Sequence, residues 1–160
     1  MAAAECLLGD EAATARLAAA LARLSRPGWL VFLEGPLAAG KTSFARAFLR
    51  ALGHEGKVKS PTFTVVETYI LASATVHHFD LYRINDPDEL HYLGFDDFLH
   101  GKAICLIEWP SRANTGLPAP DVRLSLTPLA DEQRQLRLEV ADPAIAKALE
   151  EQLAISFNSL

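Results

Sequence analysis

Residues 29–52, WLVFLEGPLAAGKTSFARAFLRAL, decide how the rest of the chain is read. Trp29 to Leu33 is an apolar run with the length of a buried strand. It opens into Gly35-Pro36-Leu37-Ala38-Ala39-Gly40-Lys41-Thr42, which fits G-x-x-x-x-G-K-[ST] at every fixed position. Behind it Phe44, Phe48 and Leu52 fall at i, i+4 and i+8, and Gly53 stands where a helix C-cap belongs. A strand before and a helix after are the setting in which such a loop holds phosphate.

Gly35 and Gly40 allow the tight turn that points backbone N–H groups at an anion, and the next helix adds its dipole at the same point. Lys41 supplies a mobile charge for the β- and γ-phosphates, and the Thr42 hydroxyl can ligate Mg²⁺. Ala38 and Ala39 occupy places where phosphate loops often carry another glycine, which predicts a slightly stiffer loop. The stretch predicts binding of a nucleoside triphosphate.

At 160 residues the chain has room for one domain with a single core. Half its residues are apolar and 22% are charged, the balance of a folded globular chain. No apolar run reaches the length of a membrane span, and residues 1–17 lack the basic start and apolar core of a signal peptide. Cys6 and Cys105 have no metal spacing, and Cys105 lies in an apolar run as a buried reduced thiol would. The expected location is the cytoplasm. A net charge of −5 argues against unaided binding of RNA or DNA, since a protein that grips either alone usually shows a basic face. Lys57 and Lys59 form the sole local basic cluster, beside the scattered Arg46 and Arg50.

Along the chain, residues 10–24 predict a helix capped by Asp10, with a Leu17, Leu21, Leu24 stripe and an exposed Thr14. Thr62 to Ile70 reads as a strand. At its start Ser60, Thr62 and Thr64 read equally well as solvated hydroxyls or as a switch able to reach a γ-phosphate. Thr75 to Asp80 is a further strand after a turn near Ala72-Ser73. Its neighbours His77 and His78 face opposite sides and cannot chelate one metal. Asp86-Pro87 opens a helix, and Gly94 separates it from a second short one over Phe95 to Leu99. Ala103 to Ile107 reads as a strand buried on both faces of a parallel sheet.

Ligands gather beyond the carboxyl ends of parallel strands, so Asp80 and Glu108 compete for the magnesium role. Glu108 follows the more apolar strand and is preferred. After a Pro/Gly/Asn-rich loop at Ser111 to Pro120, Asp121 to Thr127 and Gln133 to Val140 predict an antiparallel hairpin. Asp142-Pro143 caps a last helix. The expected architecture is an α/β P-loop NTPase-like domain over residues 1–160. It has a mainly parallel sheet flanked by helices, a core at about 10–140 and a C-terminal helix at about 143–154.

Four runs then fall together in order and spacing: Gly35 to Thr42, Lys59-Ser60-Pro61-Thr62-Phe63-Thr64, His78-Phe79-Asp80-Leu81-Tyr82-Arg83 and Ile107-Glu108-Trp109-Pro110. The chain resembles the TsaE (YjeE) family, small bacterial P-loop ATPases of tRNA threonylcarbamoyladenosine synthesis. The resemblance spans Asp10 to about Val140; Ala38 replaces that family's usual glycine and Pro36 its frequent acid. It implies Mg²⁺-dependent ATP hydrolysis, weak in the lone chain, in the service of TsaD with TsaB. That pair modifies the adenosine beside the anticodon in tRNAs reading codons that begin with A. The tRNA is then contacted through the complex, and neither membrane nor DNA is a partner.

The implied nucleotide contacts are Thr14 near the base, then Gly35, Leu37, Ala38, Ala39, Gly40, Lys41, Thr42, Ser43, Trp109 and Arg134. Thr42 and Glu108 would hold Mg²⁺, Lys41, Asp80 and Glu108 would be catalytic, and Ser60, Thr62 and Thr64 would form the switch. Arg83 and Arg134 are the candidate arginine fingers, and neither is aimed at phosphate by anything in the sequence. Two other functions share the phosphate loop: a small-molecule kinase, for which no arginine-rich lid is evident, and a nucleotide-gated binding module with little turnover. A GTPase would carry an Asn-Lys-x-Asp element, which is absent.

Overall fold

The computed structural model describes residues 1–113 and 116–159. Along the chain run β1 (Ala2–Leu8), α1 (Glu11–Leu24), β2 (Leu30–Glu34), α2 (Lys41–Ala51), β3 (Val66–Ile70) and β4 (Thr75–Asp80). Two short helices follow, α3 (Asp88–Tyr92) and α4 (Phe95–Leu99), then β5 (Ile104–Glu108) and a 3-10 turn, Pro110–Ala113. The chain continues through β6 (Val122–Pro128), β7 (Arg134–Val140), α5 (Pro143–Leu153) and the two-residue β8 (Asn158–Ser159). Asn114 and Thr115 of the loop before β6 lie outside the described residues.

The strands form one sheet in the order β3-β4-β5-β2-β6-β7-β1-β8. Its centre is parallel: β4 pairs with β5, β5 with β2, and β2 with β6. The flanks are antiparallel, with β3 on β4 at one side and β7, β1 and β8 beyond β6 at the other. Burial explains the parallel centre. Every residue of β5 is buried, as are the first four of β2, because helices cover both faces.

Alternation splits these strands between two cores. Val31, Leu33, Ile104 and Leu106 join Leu17, Leu21, Phe44 and Phe48 from α1 and α2. Leu30, Phe32, Cys105 and Ile107 join Phe79, Leu90 and Phe95 on the α3–α4 side. Phe44 and Phe48 are fully buried, and each contributes about 1.5–3 kcal/mol by leaving water. This is what presses α2, and with it the loop before it, onto the sheet.

Helix ends follow the sequence closely. Asp10 accepts from Ala13 N at 2.8 Å and Asp142 from Ala144 N at 2.9 Å. Gly53 follows α2 in the left-handed region, at φ 102°.

Three expectations need correcting. The strand expected from Thr62 starts only at Val66, because Val65 N closes a turn onto Pro61 O at 2.7 Å and Val65 sits at φ 69°. The start of the core expected at residue 10 misses β1, whose Ala-rich sequence has none of the β-branched or aromatic residues that mark a strand. Thr14, expected exposed, is buried (1%) on the α1 face that packs against the sheet and α2. Among the described residues, no helix is long and apolar enough to cross a membrane.

Candidate functional site

A cleft of about 260 Å³ opens at the carboxyl ends of the parallel strands. Leu37 to Ser43 line it together with Thr62, Asp80, Glu108, Trp109 and Arg134. The chain turns out of β2 at Gly35, where φ is 146° and an added Cβ would stand 2.4 Å from Leu126 O. No other residue fits there. Gly40, at φ 101°, opens α2, and the guanidinium of Arg134 lies across it so closely that a Cβ would meet Nε at 2.6 Å. Ala38 adopts φ 63°, a left-handed position that glycine occupies without cost. The glycine commonly found there is thus explained by backbone geometry, and this chain accepts strain of about 1–2 kcal/mol instead.

Lys41 is buried (4%). Its ammonium donates to the carbonyl oxygens of Gly35 and Pro36, the latter at 2.8 Å, and lies 4.5 Å from the Trp109 ring centre. Burial pushes its pKa down, and the nearby carboxylates of Glu108 and Asp80 push it back up. Trp109 holds its place under Lys41 with φ 58° and packs against Tyr82, ring centres 5.0 Å apart.

The two carboxylates occupy paired positions, Asp80 opposite Glu108 in the β4–β5 register. Thr42 Oγ1 lies 3.3 and 3.2 Å from the two Glu108 oxygens, whereas Asp80 accepts from Thr62 Oγ1 at 3.3 Å and Tyr82 N at 3.0 Å. Glu108 is therefore the carboxylate beside the helix-start hydroxyl, and Asp80 is the one tied to the loop before β3. Hydroxyl and carboxylate together form an all-oxygen donor pair, the ligand chemistry that Mg²⁺ takes.

Of the three candidate switch hydroxyls, Thr62 reaches the cleft and Ser60 follows it, Oγ to Oγ1 at 2.7 Å. Thr64 instead donates to Glu67 at 3.1 Å. Thr14 does not line the cleft, and its Oγ1 has no hydrogen-bond partner among the described residues. Arg134 does line it, carried there by the start of β7, and its Nη1 is likewise buried without a partner. Arg83 faces away, stacked 4.5 Å over the exposed Phe63 ring. His77 and His78 diverge as expected, His77 toward Thr68 Oγ1 at 2.8 Å and His78 toward Glu108 Oε2 at 2.7 Å. The contact of His78 with Glu108 was missed by sequence reasoning. Alternation along β4 was its available signal, since it places His78 on the same face as Asp80.

Residues 8–136 match the family model described as threonylcarbamoyl adenosine biosynthesis protein TsaE. The chain belongs to the TsaE family. It is 43% identical over 109 residues to the tRNA threonylcarbamoyladenosine biosynthesis protein TsaE of Haemophilus influenzae, covering 68% of each chain. The protein of the same name from Bacillus subtilis is 37% identical over 124 residues, 78% of this chain and 75% of that one. The crystal structure of Bacillus subtilis YdiB superposes with a TM-score of 0.78 at 27% identity, over 95% of each chain. The TsaE match takes in the whole cleft from Leu37 to Arg134, together with Thr14.

Proposed function

We propose that this protein is the Mg²⁺-dependent ATPase of tRNA threonylcarbamoyladenosine synthesis, acting with TsaD and TsaB homologues in the cytoplasm. The observation that carries the reading is the placement of the Thr42 hydroxyl against both Glu108 oxygens, directly behind a phosphate loop whose lysine is buried. Gly35 to Ser43 would cradle the phosphates, with Arg134 as a second cation across Gly40. Thr42 and Glu108 would hold Mg²⁺, which when bound spreads the charge on the β- and γ-phosphate oxygens. Asp80, held by Thr62 and the Tyr82 amide, would orient the attacking water and sense the loop Ser60 to Thr64. Leu37 and Phe63, 60% and 82% exposed, give this face apolar contacts for a protein partner. The tRNA is met through that partner.

The test is single-turnover hydrolysis by the chain alone and with the TsaD–TsaB pair, followed by pull-down in ATP, ADP or no nucleotide. The expected result is slow basal turnover, clear stimulation by the pair and association that depends on nucleotide. Fast hydrolysis by the lone chain, or association indifferent to nucleotide, overturns the reading.

Tryptophan emission offers a simpler check. Trp109 lies in the cleft, whereas Trp29 is buried at the far end of β2. ATP is expected to change the emission of Trp29→Phe and to leave that of Trp109→Phe unchanged; the reverse pattern places the nucleotide elsewhere.

A further inference from the structure

His78 has no part in the reading above, yet it is fully buried (0% exposed), and among the described residues the sole hydrogen bond of its side chain is to Glu108. Val76, His78 and Asp80 alternate onto the sheet face that α2 covers, and the register sets His78 opposite Leu106, one pleat behind the carboxylates. With Glu108 as the carboxylate that a magnesium role requires, Nε2 carries the proton and donates to Oε2 at 2.7 Å. Nδ1 is then left without a partner among the described residues.

We propose that His78 is the positioning residue of the magnesium carboxylate: its Nε2–H anchors Glu108 Oε2 from behind and so holds the carboxylate facing Thr42 Oγ1 and the cation. Packing alone is a poor reason for an imidazole here, because an apolar side chain of similar size would bury no orphaned nitrogen. Direct ligation is excluded by position, since His78 does not line the cleft and touches the site through Glu108. Ligating carboxylates are themselves commonly hydrogen-bonded from behind, and loss of such a partner typically weakens metal affinity about 10–100-fold. The inference rests on the nucleotide and magnesium reading proposed above.

The experiment is calorimetric titration of ATP into wild type, His78→Leu and His78→Gln, in EDTA and at stepped Mg²⁺ concentrations. His78→Leu is expected to need about 10–100-fold more Mg²⁺ for the same gain in ATP affinity, while its affinity in EDTA stays at the wild-type value. His78→Gln, which keeps an N–H donor, recovers much of the shift, and adding His78→Leu to Glu108→Gln shifts nothing further. A folded His78→Leu with wild-type Mg²⁺ dependence, or with equal losses in EDTA and Mg²⁺, overturns the proposal. If His78→Leu does not fold, His78→Gln and the shorter His78→Asn replace it. A Mg²⁺ shift confined to Asn supports positioning, and identical behaviour of the two overturns it. Wild type whose ATP affinity is indifferent to Mg²⁺ overturns the metal reading and this inference together; a Mg²⁺ gain in wild type unaltered in the variants overturns this inference alone.

Discussion

Lys41→Ala is expected to lower ATP affinity and turnover by about 10²–10³-fold while the protein still melts as a folded domain. That is the scale, about 2.7–4 kcal/mol, of removing one preorganised donor from a closed site. Two cations and two carboxylates line the cleft: Lys41 and Arg134 against Asp80 and Glu108. Without Lys41 the balance turns negative, which disfavours the triphosphate that the loop is proposed to hold. The fold should survive because Lys41 bonds to carbonyl oxygens of its own loop and, among the described residues, makes no direct ion pair. Both carboxylates keep other partners when it is gone, Glu108 through Thr42 and His78, and Asp80 through Thr62 and Tyr82. Nucleotide affinity and a circular dichroism melt are measured on the same sample. A folded variant with near wild-type affinity sinks the phosphate-loop reading.

Glu108→Gln should cost turnover about 10²–10³-fold and raise the Mg²⁺ needed for half-maximal rate, in keeping with the several kcal/mol a bound cation supplies. The amide keeps an acceptor for His78 but surrenders the anionic oxygen that Thr42 faces. Asp80→Asn is expected to lower turnover as well, with a smaller change in Mg²⁺ dependence, because its contacts are to the Thr62 loop and not to Thr42. Titrating Mg²⁺ against ATPase rate separates the two. A shifted dependence in Asp80→Asn beside an unshifted one in Glu108→Gln reverses the assignment.

What the sequence disclosed, and what it withheld, follows from where the information lies. The phosphate loop, β2, α2 and β5 were legible because strand burial and the 3.6-residue period are local signals, and each points the same way here. The preference for Glu108 over Asp80 came from one such signal, the unbroken apolar run AICLI; its contact with Thr42 is a matter of the β5 and α2 placement that the sequence does not display. Thr14 was misjudged because its burial depends on how α1 lies against α2, which no window of α1 alone reveals. Arg134 stood among the implied nucleotide contacts, but its path across Gly40 arises from the order β2-β6-β7, a fact of topology. His78 was dismissed as a ligand for a sound reason, and the same alternation that excluded it placed it behind Glu108. β1 was invisible because alanine carries little strand preference of its own.

The pairing of β1 with β8 has a consequence for rewiring the chain. Ala2 stands opposite Ser159 and Ala3 opposite Asn158, so the first and last strands lie side by side on the sheet's far flank, five and six positions from β4. Chains whose ends meet in this way generally accept circular permutation. A short linker across that flank, with new ends opened in the exposed turn between β3 and β4, would keep every strand neighbour while reversing the order in which the phosphate loop and the β4–β5 carboxylates are synthesised. The cleft is therefore a property of adjacency in the sheet, and a fluorophore or affinity handle placed beside β1 or β8 would stand clear of the face where nucleotide and partner are expected to meet.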